Sequence, residues 1–215
     1  YSLQRPSSWR TWYEQTPPEF VFAVKAARFI THMKKLKDVD VPLANFFASG
    51  LLALREKLGP ILVQLPPDLQ VDVDALDATL RAFPPGLRIA VEPRHETWWN
   101  DDVRRCLERH NASLCWADRH GAITPLWRTA DWGYLRFHEG KYDPWPFYTD
   151  GELAEWVDRI VDTYQNEEDV YVYFNNDPGT AAIDNAITFA AQLQERGLEV
   201  TRVPADRPDL AAAQV

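Results

Sequence analysis

Six short apolar runs, each cut off by a polar or charged side chain and separated from the next by a helical stretch, constrain this chain more than any other feature. They fall at residues 20–25 (FVFAVK), 61–64 (ILVQ), 89–91 (IAV), 113–117 (SLCWA), 132–137 (WGYLRF) and 170–174 (VYVYF). Apolar runs this short, without polar alternation, suit strands buried on both faces of a parallel sheet. Helix signals lie between them. Residues 6–15 place Trp9, Trp12 and Tyr13 on one face, with Ser7 or Ser8 available as the cap. Residues 43–58 read as a helix stopped by Gly59-Pro60, and 73–83 as another. Asn100 caps 101–110, which carries acid at its start and base near its end, as a helix dipole prefers. Helices at 149–165 and 181–196, the second followed by Gly197, complete the series.

Strand and helix in strict alternation give a parallel sheet covered by helices. No glycine-rich dinucleotide fingerprint or phosphate loop follows any strand, which favours a closed barrel over an open Rossmann sheet. The expected fold is therefore α/β, a TIM-type (β/α) barrel, although a full barrel has eight strands and six are visible. The expected organisation is a single barrel domain over 1–200, N-terminally incomplete, and a tail rich in Pro, Asp and Ala over 201–215.

Composition narrows the partners. A net charge of −9 argues against general nucleic-acid or membrane-surface binding, which needs an excess of Lys and Arg. No apolar run approaches the roughly 18 residues of a membrane span. Cys106 and Cys115 sit in apolar settings without metal-ligand spacing, and read as buried free thiols of a cytoplasmic protein.

The residues that close the strands carry the chemistry. They are Lys25; Gln64; Glu92, Arg94 and His95; Asp118; Arg136 and His138; and Asn175, Asn176 and Asp177. In a (β/α) barrel all of these meet at the C-terminal rim, where such folds place their sites. Lys25, Arg94 and Arg136 make a cationic clamp for phosphate or carboxylate inside an acidic protein. Glu92, kept ionised by those cations, suits a general base, with His138 or His95 moving protons near neutral pH. Asp118 is a further acid–base candidate. Asn175 and Asn176 offer bonds to hydroxyls, and Trp98, Trp99 and Tyr142 offer flat faces to a sugar ring or base. Each reading has a plainer counterpart: Glu92 paired with Arg94 or Arg136 as a structural brace, or His32 as a capping residue rather than a ligand contact. His110 and His120 read as surface histidines. A divalent metal on Glu92, Asp118 and His138 is an alternative that the surrounding cations disfavour, so no cofactor is assigned.

Five ordered motifs, at 22–32 (FAVKAARFITH), 58–67 (LGPILVQLPP), 90–99 (AVEPRHETWW), 134–142 (YLRFHEGKY) and 169–177 (DVYVYFNND), resemble the domain-of-unknown-function family 72, the YecE-like proteins. The resemblance covers residues 1 to about 196. It implies a TIM-type barrel, and implies that Lys25, Thr31, His32, Gln64, Glu92, Arg94, His95, Trp98, Asp118, Arg136, His138, Asn175 and Asn176 occupy the family's characteristic positions. It supplies no reaction. It also implies two earlier strands that this chain lacks, and a proline where this chain has Glu96. The function expected from the residues is an enzyme using acid–base chemistry, isomerase- or hydrolase-like, on a small anionic or phosphorylated sugar-like substrate. The alternatives are a non-catalytic barrel that binds an anion or a nucleic-acid end, and a metal-dependent phosphodiesterase.

Overall fold

The computed structural model describes residues 3–119, 122–138, 146–164 and 168–203. Six parallel strands form as the alternation requires: β1 (Phe22–Lys25), β2 (Leu58–Gln64), β3 (Ile89–Glu92), β4 (Ser113–Arg119), β6 (Gly133–Phe137) and β7 (Val170–Phe174). Their hydrogen-bonded order is β1-β2-β3-β4-β6-β7. A two-residue strand that the sequence did not signal, β5 (Ala122–Ile123), pairs antiparallel with β4. The helices are α1 (Pro6–Gln15), α2 (Asp40–Ala48), α3 (Val73–Ala82), α4 (Asp101–Arg109), α5 (Asp150–Thr163) and α6 (Ala181–Glu195). The fold is α/β.

The chain divides into two compact units, Tyr1–Cys115 with Trp127–Asp131, and Trp116–Leu126 with Trp132–Val215. The first unit holds α1–α4 and β1–β3 with the start of β4. Its core joins Ile61 and Val63 of β2, Val91 of β3, Leu76 and Leu80 of α3, and Val103 and Leu107 of α4. The second unit has a core dominated by rings. Phe137 packs against Trp156, Tyr148, Phe174 and Phe189, with centroids 4.8–5.5 Å apart and mostly edge-on.

Local chemistry sets several helix starts. Asn100 Oδ1 accepts from the N–H groups of Asp102 and Val103, and Thr149 with Glu152 forms a reciprocal capping box at the start of α5. At the start of α1, the sequence expectation of a serine cap is corrected. Arg5 is the cap residue and no side chain caps the helix, because Pro6 stands at the first turn with its φ already set.

The 43–58 helix is also corrected. α2 begins earlier, at Asp40, and stops at Ala48; Gly50 then adopts φ +96°, a left-handed conformation, and a tighter 3₁₀ segment runs over Leu51–Lys57. Gly59 and Pro60 end no helix, since both lie inside β2. A Cβ on Gly59 would meet Val21 Cγ1 at 2.3 Å and Phe22 O at 3.2 Å, so glycine here permits the close approach of the β1 segment. Lys57, although 95% buried, is satisfied at the end of α1. Its ammonium donates to Tyr13 O, Thr16 O and Thr16 Oγ1 at 2.6, 2.8 and 3.2 Å.

Candidate functional site

In the first unit, β1, β2 and β3 are neighbours in a parallel ladder, with Gln64 paired to Glu92 and Lys25 to Leu62. Parallel strands bring their C-terminal residues to one edge, so Lys25, Gln64 and Glu92 emerge together. Lys25 Nζ donates to Gln64 Oε1 at 2.5 Å, and Gln64 Nε2 donates to Glu92 Oε1 at 2.8 Å. Arg94 Nε also donates to Glu92 Oε1, at 3.2 Å. The Gln64 amide matches both of its neighbours, turning its carbonyl to an ammonium and its NH2 to a carboxylate. No single charged side chain does both.

The Glu92 side chain is 1% exposed and that of Arg94 20%. A carboxylate this buried depends on the donors around it. These contacts join four of the residues expected from the sequence, Lys25, Gln64, Glu92 and Arg94.

His32 sits after β1 on a five-residue π-helical turn, Phe29–Met33, anchored by the buried Ile30 and Thr31. Such turns are rare and recur at functional positions. Thr31 Oγ1 lies 2.8 Å from His32 Nδ1. Burial, followed by the positive charges of Arg28, Lys25 and Arg94, holds the His32 pKa below the ordinary imidazole value, with Asp68 pulling weakly the other way. His32 therefore feels three cations at once. The sequence reading missed Arg28, whose available signal was its place between Lys25 and His32 in the segment leaving β1.

Beyond the turn, Lys35, Leu36 and Asp38 all have φ between +48° and +65°, a strained run for residues other than glycine. Leu36 is held there by burial at 2% exposure and by its N–H bond to Ile30 O. This segment borders a cavity of about 560 Å³ lined by Met33, Lys34, Lys35, Lys37 and residues 68–72. Lys35 reaches Asp68 at 2.6 Å, and Asp68 thus belongs both to the cavity and to the surroundings of His32.

His95 and Trp98 take structural roles in this unit. His95 Nδ1 accepts from Thr97 N at 3.3 Å and lies 3.0 Å from Thr97 Oγ1, capping the short turn Glu96–Trp98. The expectation of a flat ligand-facing ring at Trp98 is corrected: it is fully buried in the core, and its indole N–H donates to Leu69 O at 2.8 Å. Trp99 is half-buried against the same core.

The second unit holds Asp118, Arg136, His138, Asn175 and Asn176 at the ends of β4, β6 and β7. Arg136 Nε donates to Asn175 Oδ1 at 3.1 Å, Asn175 N to Phe137 O at 2.7 Å, and His138 N to Asp118 O at 3.2 Å. Asn176 is corrected from a hydroxyl-binding role. It is fully buried, and its Nδ2 donates to Pro146 O at 2.7 Å and to Asn185 Oδ1 at 2.9 Å. Asn185 in turn clamps the Tyr148 backbone at both its N–H and its carbonyl. Tyr142 and His120 lie outside the described residues. Among the described residues, the three metal-type donors that converge are Asp77, Cys106 and His110. His110 is half-buried at that cluster, not a bare surface histidine. Cys106 and Cys115 are both buried and neither forms a disulfide. No helix among the described residues is long and apolar enough to cross a membrane.

Comparison with known proteins agrees with the ordered motifs. A crystal structure of a DUF72 family protein from Enterococcus faecalis V583 superposes with a TM-score of 0.79 at 21% identity, covering 97% of this chain and 86% of that one. A DUF72 family protein from Thermotoga maritima MSB8 gives 0.75 at 26% identity, covering 90% of this chain and 81% of that one. No curated protein matches the chain. The family model for DUF72, described as a protein of unknown function, matches residues 1–210, and the chain belongs to that family.

Proposed function

We propose that the protein is an enzyme that binds a small anionic, phosphorylated or carboxylated, sugar-like substrate and works on it by acid–base chemistry. In this reading the six parallel strands correspond to six strands of a TIM-type barrel. Lys25, Arg28 and Arg94 hold the anion, and Glu92 moves the proton. The observation that carries the proposal is the joint action of Lys25, Arg28 and Arg94 on His32, a concentration of positive charge in a chain of net charge −9. An anion placed there gains charge-assisted hydrogen bonds while relieving the mutual repulsion of the cations. The cavity beside the π-turn gives a bound molecule room, and its lysines extend the same sign of charge. In the second unit Arg136, held by Asn175, is a further cation of the same kind.

Thermal denaturation of the full chain with inorganic phosphate and a panel of sugar phosphates tests the reading. A ligand at 100 times its Kd adds about 2.7 kcal/mol, which for a chain of this size raises Tm by roughly 5–10 °C. Arg28→Ala and Arg94→Ala should abolish the shift, whereas Glu92→Gln should keep it and abolish turnover. A cooperatively melting wild type that shifts with none of these anions overturns the proposal. One observation favours a second reading: Glu92 Oε1 already accepts from both Gln64 and Arg94, as expected of a carboxylate that braces a purely binding rim. Under that reading the same anions bind, and no member of the panel is turned over.

A further inference from the structure

α3 and α4 bring three donor atoms of different chemistry together on their flank, away from the strand ends. Asp77 comes from α3. Cys106 and His110 are four residues apart at the end of α4, the spacing that sets two side chains on one helical face and recurs in helical zinc sites. His110 Nε2 lies 2.8 Å from Asp77 Oδ1, Cys106 Sγ lies 3.9 Å from the same oxygen, and all three donors fall within 4.8 Å of one another. Tetrahedral zinc with one sulfur, one nitrogen and one oxygen ligand needs donor separations of about 3.3–3.6 Å. Shifts of about an ångström reach that geometry.

Asp77 also takes Arg109 Nη2 at 3.2 Å and the Arg81 guanidinium. Taken alone, these pairs describe an ionic staple between two helices. The staple itself does not use a sulfur, yet Cys106, packed in the adjoining core, sets its Sγ 3.9 Å from the carboxylate. The arginine side chains are 58% and 70% exposed against 21% for Asp77, so both can turn out into water at little cost and leave the carboxylate to another cation.

We propose that Asp77, Cys106 and His110 form a binding site for a thiophilic divalent transition metal of the zinc type, with water in the fourth position. On binding, the Cys106 thiol releases its proton to solvent and the sulfur lone pair forms the metal bond. His110, whose Nε2–H points at the Asp77 carboxylate in the metal-free site, releases that proton to solvent while Nδ1 takes one up from solvent, and the neutral ring binds through Nε2. Thiolate and carboxylate together neutralise the ion. The site is separate from the strand-end cluster, and its test does not depend on the proposed activity.

Titration of the full chain with Co2+ under reducing conditions reads the site directly. A thiolate-to-cobalt charge-transfer band in the near ultraviolet and tetrahedral bands in the visible should saturate at about one ion per chain and vanish on adding Zn2+. Cys106→Ser should remove the charge-transfer band, Cys115→Ser should leave it, and His110→Gln should weaken binding by about tenfold or more. Should Cys106→Ser fail to fold, the half-buried His110→Gln decides the matter. The proposal is overturned by a wild type without the charge-transfer band, by a band that follows Cys115 instead of Cys106, or by His110→Gln binding as tightly as wild type.

Discussion

At the scale of single residues, the strand-end cluster depends on matched charge. Gln64 alone supplies an acceptor to Lys25 and a donor to the buried Glu92, so Gln64→Glu is a sharp probe. It removes the donor and sets two carboxylates at a contact now spanning 2.8 Å. We expect a loss of about 2–3 kcal/mol at neutral pH, partly recovered in acid as one carboxyl takes up a proton, measured by denaturant unfolding across pH. A variant as stable as wild type at pH 7 would show the relay to be incidental.

His32 gives a prediction of opposite sign. Its pKa is lowered by burial and by Arg28, Lys25 and Arg94, so below its ordinary value of 6.5 the folded chain binds fewer protons than the unfolded one. Stability then rises with pH from below the folded pKa up to about 6.5 and is flat with respect to this group above it. His32→Gln should flatten that limb. An anion among the same cations raises the pKa, so phosphate should bind more tightly as pH falls through this window, and NMR titration of His32 with and without phosphate should show the midpoint move upward. An unmoved midpoint would disconnect His32 from the anion site.

At the scale of elements, helix starts with strong local chemistry are legible, and helix ends set by neighbours are not. The Asn100 cap and the start of α4 follow from hydrogen bonds within four residues. Asn100→Ala should cost about 1 kcal/mol, a fall in Tm of roughly 2–4 °C, read in a thermal melt. The 43–58 segment misleads because its apolar spacing continues through the 3₁₀ turn, which also buries Leu51 and Leu54, while Gly59 is demanded by the packing of Val21. Gly59→Ala should therefore destabilise by about 1–3 kcal/mol through overpacking. The π-turn at Phe29–Met33 has no local sequence signal, since it is fixed by burial of Ile30 and Thr31 rather than by backbone preference.

At the scale of the whole chain, each unit has its own buried core; Cys106 belongs to the first, and Cys115 is likewise fully buried. A thiol reagent without added metal should label the native chain slowly and reach two thiols per chain only on unfolding, with the labelling midpoint in denaturant following the loss of tertiary signal. Fast labelling of either thiol in the native state would contradict the burial of Cys106 and Cys115.

The sequence by itself determined the α/β class, the six parallel strands, the capped helices and the polar residue that closes each strand, because these follow from short-range periodicity and from side chains acting on their own backbone. Only the tertiary structure decided which of those polar residues turn toward each other. Lys25, Gln64, Glu92 and Arg94 meet because β1, β2 and β3 pair in one register. Trp98 and Asn176, identical in sequence terms to exposed site residues, are drawn inward by bonds to Leu69, Pro146 and Asn185. Asp77 finds Cys106 and His110 across roughly thirty residues because α3 packs against α4. Local spacing carries no record of such long-range pairings, and burial free energy settles them only when the elements come together.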